Sequence, residues 1–254
     1  MSLKFKIIKE FRIIDLLKVY ILSKIKIERL IKIKLQKRTL YIRTNSSDFS
    51  VICSSFIKDE LSIAQKLYAK NFSGLIIDAG GYIGTAAIKL SEFFPRSKII
   101  SLEPSNENFK LLKRNTEKYR NIIPMQAALV DKKSERIKLL DRNTGKYGFT
   151  IIRNPADCKK TNYIQEITPI TIYEIQKKFR KKINILKMDI EGSEKSIFDN
   201  NKNILENIDV IIVELHDRII NGCLNSFKFF SKKRWHFKSE NEKYISLKKF
   251  YKNK

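Results

Sequence analysis

From residue 75 onward, short apolar runs alternate with amphipathic segments. Leu75-Ile76-Ile77 reads as a buried strand, being β-branched and too brief for a helix. Thr85–Phe94 has helical spacing and stops before Pro95. Ile99–Glu103 is a second strand, and Pro104 opens a helix through Tyr119 with Ser105 or Asn106 as cap. Ile122–Leu129 is a third strand, ending in Ala127-Ala128. Arg136–Leu140 reads as a strand and Asp141–Lys160 as a polar loop over the mouth of the sheet. A helix over Thr171–Arg180, a strand over Ile183–Asp189 and a helix over Ser193–Leu205 follow. The strand Val210–Leu215, the helix Ser226–Lys233 and a hairpin of Arg234–Lys238 with Lys243–Phe250 close the chain. This alternation predicts an α/β fold: a doubly wound, mostly parallel sheet with helices on both faces and an antiparallel C-terminal hairpin.

The first 70 residues read differently and are expected to form an extension to a main domain over 71–254. In residues 1–36 basic and apolar side chains alternate, and Ile7, Phe11, Ile14, Leu17 and Ile21 fall on one stripe of a helix. Two roles fit such a helix: lying on an anionic bilayer surface, or packing on the domain or on a second subunit. No charge-free window approaches the ~20 residues of a membrane span, and no cleavage site follows an apolar core. Thr39–Thr44 and Phe49–Cys53 are expected as two strands around Asn45-Ser46-Ser47-Asp48. Lys58–Lys70 is expected as a helix, stopped by Asn71-Phe72-Ser73-Gly74.

The 254 residues, 43% of them hydrophobic, suffice for a substantial core. Cys53, Cys158 and Cys223 form no C-x-x-C pair and His216 and His236 are the only histidines. That opposes a zinc site or disulfide framework and fits a reducing, cytoplasmic setting, with the inner face of a membrane as a peripheral site. The net charge of +25 would suit an anionic partner, but the lysines are spread along the whole chain.

Candidate chemistry gathers at the predicted strand ends. Asp78 ends the first strand, and Gly80-Gly81-Tyr82-Ile83-Gly84 then turns into a helix. Glycines allow a tight turn and close approach of backbone N–H groups to a ligand. A carboxylate beside that turn repels pyrophosphate and suits an ammonium group, and the spacing lacks the G-x-G-x-x-G of dinucleotide binders. Glu103, one strand–helix–strand unit later, stands where an acid holds ribose hydroxyls. Taken in order, these features suggest S-adenosylmethionine; a plain strand–loop–helix with solvated acids is the bland alternative. Asp189 and Glu214-Leu215-His216 complete the set at later strand ends. His216, with an ordinary pKa near ~6.5, is the natural general base, with Glu214 to orient it or bind a sugar hydroxyl. Asp189, Glu191 and Glu214 are also a donor set suited to Mg²⁺, although their spacing does not require a metal.

Ile77-Asp78-Ala79-Gly80-Gly81-Tyr82-Ile83-Gly84, Leu102-Glu103-Pro104, Ala127-Ala128-Leu129 with Asp131, Leu186-Lys187-Met188-Asp189-Ile190-Glu191-Gly192-Ser193-Glu194 and Val213-Glu214 together resemble the FkbM family of methyltransferases. The resemblance covers roughly residues 40–250, and the Lys-x-Asp-x-Glu-Gly-x-Glu block is its most specific part. It implies a class I, Rossmann-like methyltransferase fold with a seven-stranded sheet, and O-methylation of a sugar, glycan or natural-product hydroxyl with S-adenosylmethionine. On that resemblance Asp78, Gly80, Gly81, Tyr82, Ile83 and Gly84 would cradle the methionine part. Glu103, with Pro104 and Asn108 beside it, would serve the ribose, Ala127 and Ala128 would border the adenine, and Asp189 would lie near the reacting centre. The chain departs from the family at Gly81-Tyr82, where Ala-Asn is frequent. Methylation of RNA is the competing enzymatic reading, opposed by the absence of an Asn/Asp-Pro-Pro-Tyr-like motif. A basic membrane- or nucleic-acid-binding module on a relic fold is the non-enzymatic one.

Overall fold

The computed structural model describes residues 3–58, 61–69 and 71–248. The N-terminal segment is two helices, α1 (Leu3–Glu10) and α2 (Ile13–Lys24), followed by a hairpin of β1 (Leu30–Leu35) and β2 (Arg38–Arg43). This corrects the expectation of one amphipathic helix across residues 1–36. The helix breaks at Phe11, which is buried and bridges to Leu35, while Arg12 takes an extended backbone. Residues 30–35 alternate strictly, with Ile33 and Leu35 inward and Lys32 and Lys34 outward, the period of a strand. The expected strand at 49–53 is also corrected: α3 (Asp48–Ile52) runs there into a π-helical turn, Cys53–Lys58. Asp48 accepts the Arg43 backbone N–H at 2.7 Å and the Arg43 guanidinium at 2.9 and 3.0 Å, which turns the chain at the end of β2. Of the expected helix 58–70, α4 (Ser62–Leu67) forms, and residues 59, 60 and 70 lie outside the described residues.

The main domain follows the predicted alternation. β3 (Leu75–Ala79), α5 (Thr85–Phe93), β4 (Lys98–Leu102), α6 (Asn106–Thr116) and β5 (Ile122–Met125) build one half. The expected third strand is interrupted after Met125, whose carbonyl accepts the Glu103 N–H at 3.1 Å. The chain re-forms as β6 (Ala128–Val130), away from the main sheet. Next come β7 (Ile137–Asp141), β8 (Phe149–Thr150) and β9 (Asn162–Ile167), a small sheet in the order β8-β7-β9. The segment 141–160, expected as loop throughout, thus contributes β8. β10 (Pro169–Thr171) pairs in parallel with β6, and Thr171 opens α7 (Ile172–Phe179) with a reciprocal cap to Glu174. β11 (Ile183–Met188), α8 (Glu194–Asn200), α9 (Lys202–Leu205), β12 (Val210–Glu214) and α10 (Cys223–Ser231) follow. β13 (Trp235–Glu240) and β14 (Lys243–Leu247) form the closing hairpin.

The seven-stranded sheet has the order β13-β14-β12-β11-β3-β4-β5, parallel except for β14, which runs antiparallel to both neighbours. This is the seven-stranded, mostly parallel arrangement that the resemblance implied. Successive residues of the inner strands face opposite ways, so Ile76, Ile99, Ile185 and Ile212 join one core and Ile77, Ile100, Leu186 and Ile211 the other. The first core also takes Phe11, Ile33, Leu35 and Ile42, so the N-terminal segment packs over α5. Sequence order reverses between β3 and β11, and the crevice beyond their carboxyl ends is where such sheets hold ligands.

Candidate active site

Two strand ends are joined at the floor of that crevice. The Asp189 N–H donates to the Ala79 carbonyl at 3.1 Å. Gly80 has φ of +81°, and a Cβ there would stand 1.8 Å from the Asp189 carbonyl oxygen. Gly80 and Gly81 both donate their N–H groups to the Leu102 carbonyl, at 3.0 and 2.8 Å. The expectation that these N–H groups serve a ligand is therefore corrected. The glycines let β3, β4 and β11 converge, and their donors are spent in doing so.

Above the turn lies a cavity of about 370 Å³, within the ~300–1,000 Å³ of small-molecule sites. Gly80, Gly81, Tyr82, Glu103, Pro104, Asn108, Ala127 and Ala128 line it, as do Lys187, Asp189, Glu191, Glu214, Arg218 and Lys243. Tyr147, Phe149 and Ile151 close it from the β7–β9 side. Glu103 accepts the Tyr82 N–H at 2.8 Å and the Ser105 N–H at 2.9 Å, and its carboxylate retains lone pairs for a ligand. Asn108 Oδ1 is buried and has no hydrogen-bond partner among the described residues.

Four of the expected residues are placed elsewhere. Ile83 and Gly84 belong to the packing behind the turn; a Cβ on Gly84 would meet Thr116 Cγ2 at 2.9 Å. Asp78 is wholly buried, accepts the Ser101 hydroxyl at 2.8 Å and pairs with Lys187 Nζ at 3.3 Å. It positions a lysine instead of presenting a carboxylate to the cavity. His216 is likewise buried behind Asp189 and Glu191.

A model of the methyltransferase FkbM domain matches residues 78–232. The chain belongs to the FkbM methyltransferase family. Membership identifies the activity as methyl transfer and the donor as S-adenosylmethionine. No curated protein matches the chain. Among solved structures, the O-methyltransferase from Bacillus cereus in complex with SAH is similar over 75% of this chain and 80% of its own, at 12% identity and a TM-score of 0.43. M. jannaschii TYW2 in complex with AdoMet is similar over 87% and 84%, at 11% identity and 0.44. An rRNA methylase from Streptococcus thermophilus is similar over 74% and 92%, at 8% identity and 0.42. Likeness at this level says nothing of the acceptor.

In this methyltransferase the Lys187–Glu194 block supplies two acids of the cavity wall, Asp189 and Glu191. Lys187 and Asp189 stand two residues apart and face one way, 3.7 Å apart across Nζ and Oδ2. Glu191 takes a left-handed backbone, φ +53°, and Gly192 follows at +102°. That conformation costs a non-glycine residue roughly 1–3 kcal/mol and aims the Glu191 carboxylate at the cavity. Glu194 does more than meet a helix dipole: it accepts the Ile190 N–H at 2.8 Å, the Gly192 N–H at 2.9 Å, and pairs with His216 Nδ1 at 2.9 Å.

The electrostatics overturn the premise that His216 titrates near its ordinary value. Burial alone would lower it, but Glu194, Glu191 and Asp189 outweigh burial and raise it to about 10. His216 is then an imidazolium at neutral pH, both ring nitrogens protonated and neither free to accept a proton. Burial raises Glu191 to about 7, with the Asp189 charge adding and His216, Arg142 and Arg218 opposing. Burial also raises Glu214, again with Asp189. Asp189 stays lowered, because Lys187, His216 and Lys243 together outweigh its burial. Burial raises Glu103 to about 7 despite its three donors.

Tyr82, at the family's departure, also has a left-handed backbone, φ +49°. Its hydroxyl bonds Asp48 and lies 3.2 Å from Ser47 Oγ. The tyrosine thus ties the Gly80–Gly84 turn to the N-terminal segment, a contact that no local pattern announces. Arg142, which pairs with Glu191 and Asp157, was equally hidden inside a polar stretch.

Proposed function

We propose that the chain is an S-adenosylmethionine-dependent O-methyltransferase whose acceptor is a hydroxyl of a sugar, glycan or natural product. The observation that carries this reading is that Asp189, Glu191 and Glu214 line the same cavity as Glu103. Carboxylates accept hydrogen bonds from hydroxyls, and the raised pKa of Glu191 gives one of them the basicity to take a proton near neutral pH.

In this reading Glu103 would hold the ribose hydroxyls, Asn108 Oδ1 would take a donor from the nucleoside, and the small side chains of Ala127-Ala128 would border the adenine. Gly80 to Tyr82 border the methionine part, whose ammonium and sulphonium charges suit an acid-lined cavity. S-adenosylmethionine supplies an electrophilic methyl group. Once that methyl passes to the acceptor oxygen, S-adenosylhomocysteine would be the leaving group; the cavity would hold the acceptor hydroxyl, and Glu191 would take its proton. Asp189 and Glu214 orient neighbouring hydroxyls. His216 faces Glu191 from behind, stabilises its anion and is a positioning residue.

Asp189, Glu191 and His216 bring oxygen and nitrogen atoms within 4.8 Å of one another, close enough for a divalent cation. Positive charge is already supplied there by Lys187, Arg142, Arg218 and the His216 imidazolium. A metal would have to displace or oppose them, and the reading needs none.

The test uses S-adenosylmethionine labelled in its methyl group, with oligosaccharides, polyhydroxylated natural products and total RNA as acceptors. Label in an alkali-stable methyl ether on a sugar or natural-product hydroxyl supports the proposal. Transfer to nucleobases alone overturns it.

A further inference from the structure

The outer face of α2 is apolar and exposed. Ile13, Ile14, Leu17, Tyr20 and Ile21, at i, i+1, i+4, i+7 and i+8, form one stripe, each between 53% and 65% exposed. The rotation of this helix is pinned from the other side. Asp15 is buried, accepts Arg12 Nε at 3.0 Å and the Lys34 N–H at 2.9 Å, while Leu16 and Val19 pack against the core. The helix cannot turn its stripe inward without breaking a buried carboxylate's bonds.

The segment that carries the stripe is basic. Residues 1–36 carry ten lysines and arginines against three acids. Each acid is engaged within the protein: Asp15 with Arg12, Glu28 with Lys146 at 2.6 Å, and Glu10 with Gln36. Lys18 and Lys24 are exposed on the helix itself. No helix among the described residues is long and apolar enough to cross a membrane.

We propose that α2 lies on the surface of an anionic lipid bilayer, with Ile13, Ile14, Leu17 and Ile21 in the acyl boundary, Tyr20 at headgroup depth and Lys18 and Lys24 against lipid phosphates. Charge selects this occupant. A second copy of the chain would bring two such basic segments together, in a protein of net charge +25. A nucleic acid would satisfy the lysines and leave the apolar stripe in water. An anionic bilayer satisfies both at once. The docking stands independently of which acceptor the enzyme methylates.

The experiment is flotation of the full chain with vesicles of phosphatidylcholine alone or mixed with phosphatidylglycerol, at low and high salt. Binding should require the anionic lipid and weaken with salt. Leu17→Glu with Ile21→Glu should lower the bound fraction about tenfold or more, since two charges enter the apolar face. Lys18→Gln with Lys24→Gln should lower it several-fold and reduce the salt dependence. S-adenosylhomocysteine binding by calorimetry should persist in both variants, showing that they fold. Equal binding to neutral and anionic vesicles overturns the proposal, as does no binding at all. A concentration-dependent dimer in light scattering that Leu17→Glu with Ile21→Glu dissolves, without vesicle binding, assigns the face to a second copy and also overturns it.

Discussion

His216 Nδ1 stands 2.9 Å from Glu194 Oε1, while its Nε2, buried and without a hydrogen bond among the described residues, faces Asp189 at 3.7 Å and Glu191 at 3.8 Å. One ring therefore links the carboxylate that shapes the loop to the carboxylates that line the cavity. The imidazolium favours ionised Glu191 without touching the cavity itself.

Glu191→Gln should lower turnover roughly 10²–10⁴-fold, the usual share of a general base, and leave S-adenosylhomocysteine affinity within a few-fold of the parent. In the parent enzyme the rate should rise with pH through about 7 and then level, because the base must be deprotonated. Single-turnover rates between pH 5.5 and 9 check this, and an unchanged rate in Glu191→Gln would falsify the assignment.

Replacing the histidine separates positioning from catalysis. His216→Gln removes a positive charge facing Glu191, so the midpoint of the pH–rate profile should move up, with the plateau rate reduced far less than in Glu191→Gln. Because the folded pKa of about 10 exceeds the ordinary 6.5, the ion pair's contribution to stability is full below about 6.5 and is lost as pH rises through 10. His216→Ala, which strands buried Glu194, should cost about 3–5 kcal/mol in urea denaturation at pH 7.

Glu103 should show a trade between stability and binding. Its folded pKa of about 7 lies above the ordinary 4.5, so the folded chain holds the proton more tightly and stability falls as pH rises across that window. The fall should amount to ~3 kcal/mol and be absent in Glu103→Gln, measured by denaturation at pH 4.5 and 8. The same variant should weaken cofactor binding by about 1–3 kcal/mol, the worth of charged hydrogen bonds. Parallel pH curves for parent and variant would show that the carboxyl is not strained by burial.

Gly80→Ala should damage fold and site together. The left-handed backbone costs roughly 1–3 kcal/mol, and the added Cβ meets the Asp189 carbonyl directly. Loss of cofactor binding with a lowered melting temperature is expected, and a fully stable, fully binding variant would contradict the joined strand ends.

Metal dependence offers a further check. Dialysis against a chelator should leave turnover unchanged, and added Mg²⁺ should not raise it, because Lys187, Arg142 and the imidazolium already meet the acidic wall. Activity lost on chelation and restored by Mg²⁺ would reassign Asp189, Glu191 and His216 as its ligands.

The alternation of strands and helices after residue 75 was legible because hydrophobic periodicity is local, and so were the acids at strand ends, which a doubly wound sheet gathers at one crevice. The strand at 30–35 was legible too, in the strict alternation of Ile33 and Leu35 with lysines, but the longer helical stripe obscured it. What only the tertiary structure decided depends on neighbours far apart in the chain. Asp78 meets Lys187, 109 residues away, so a carboxylate that suggested an ammonium ligand already has one within the protein. His216 is held protonated by Glu194, 22 residues earlier on another element, and no composition or spacing encodes that field. In α2 the sequence determined that apolar residues repeat, and packing determined that Leu16 and Val19 face the core while Leu17 and Ile21 face outward, because burial depends on which side the rest of the chain folds against.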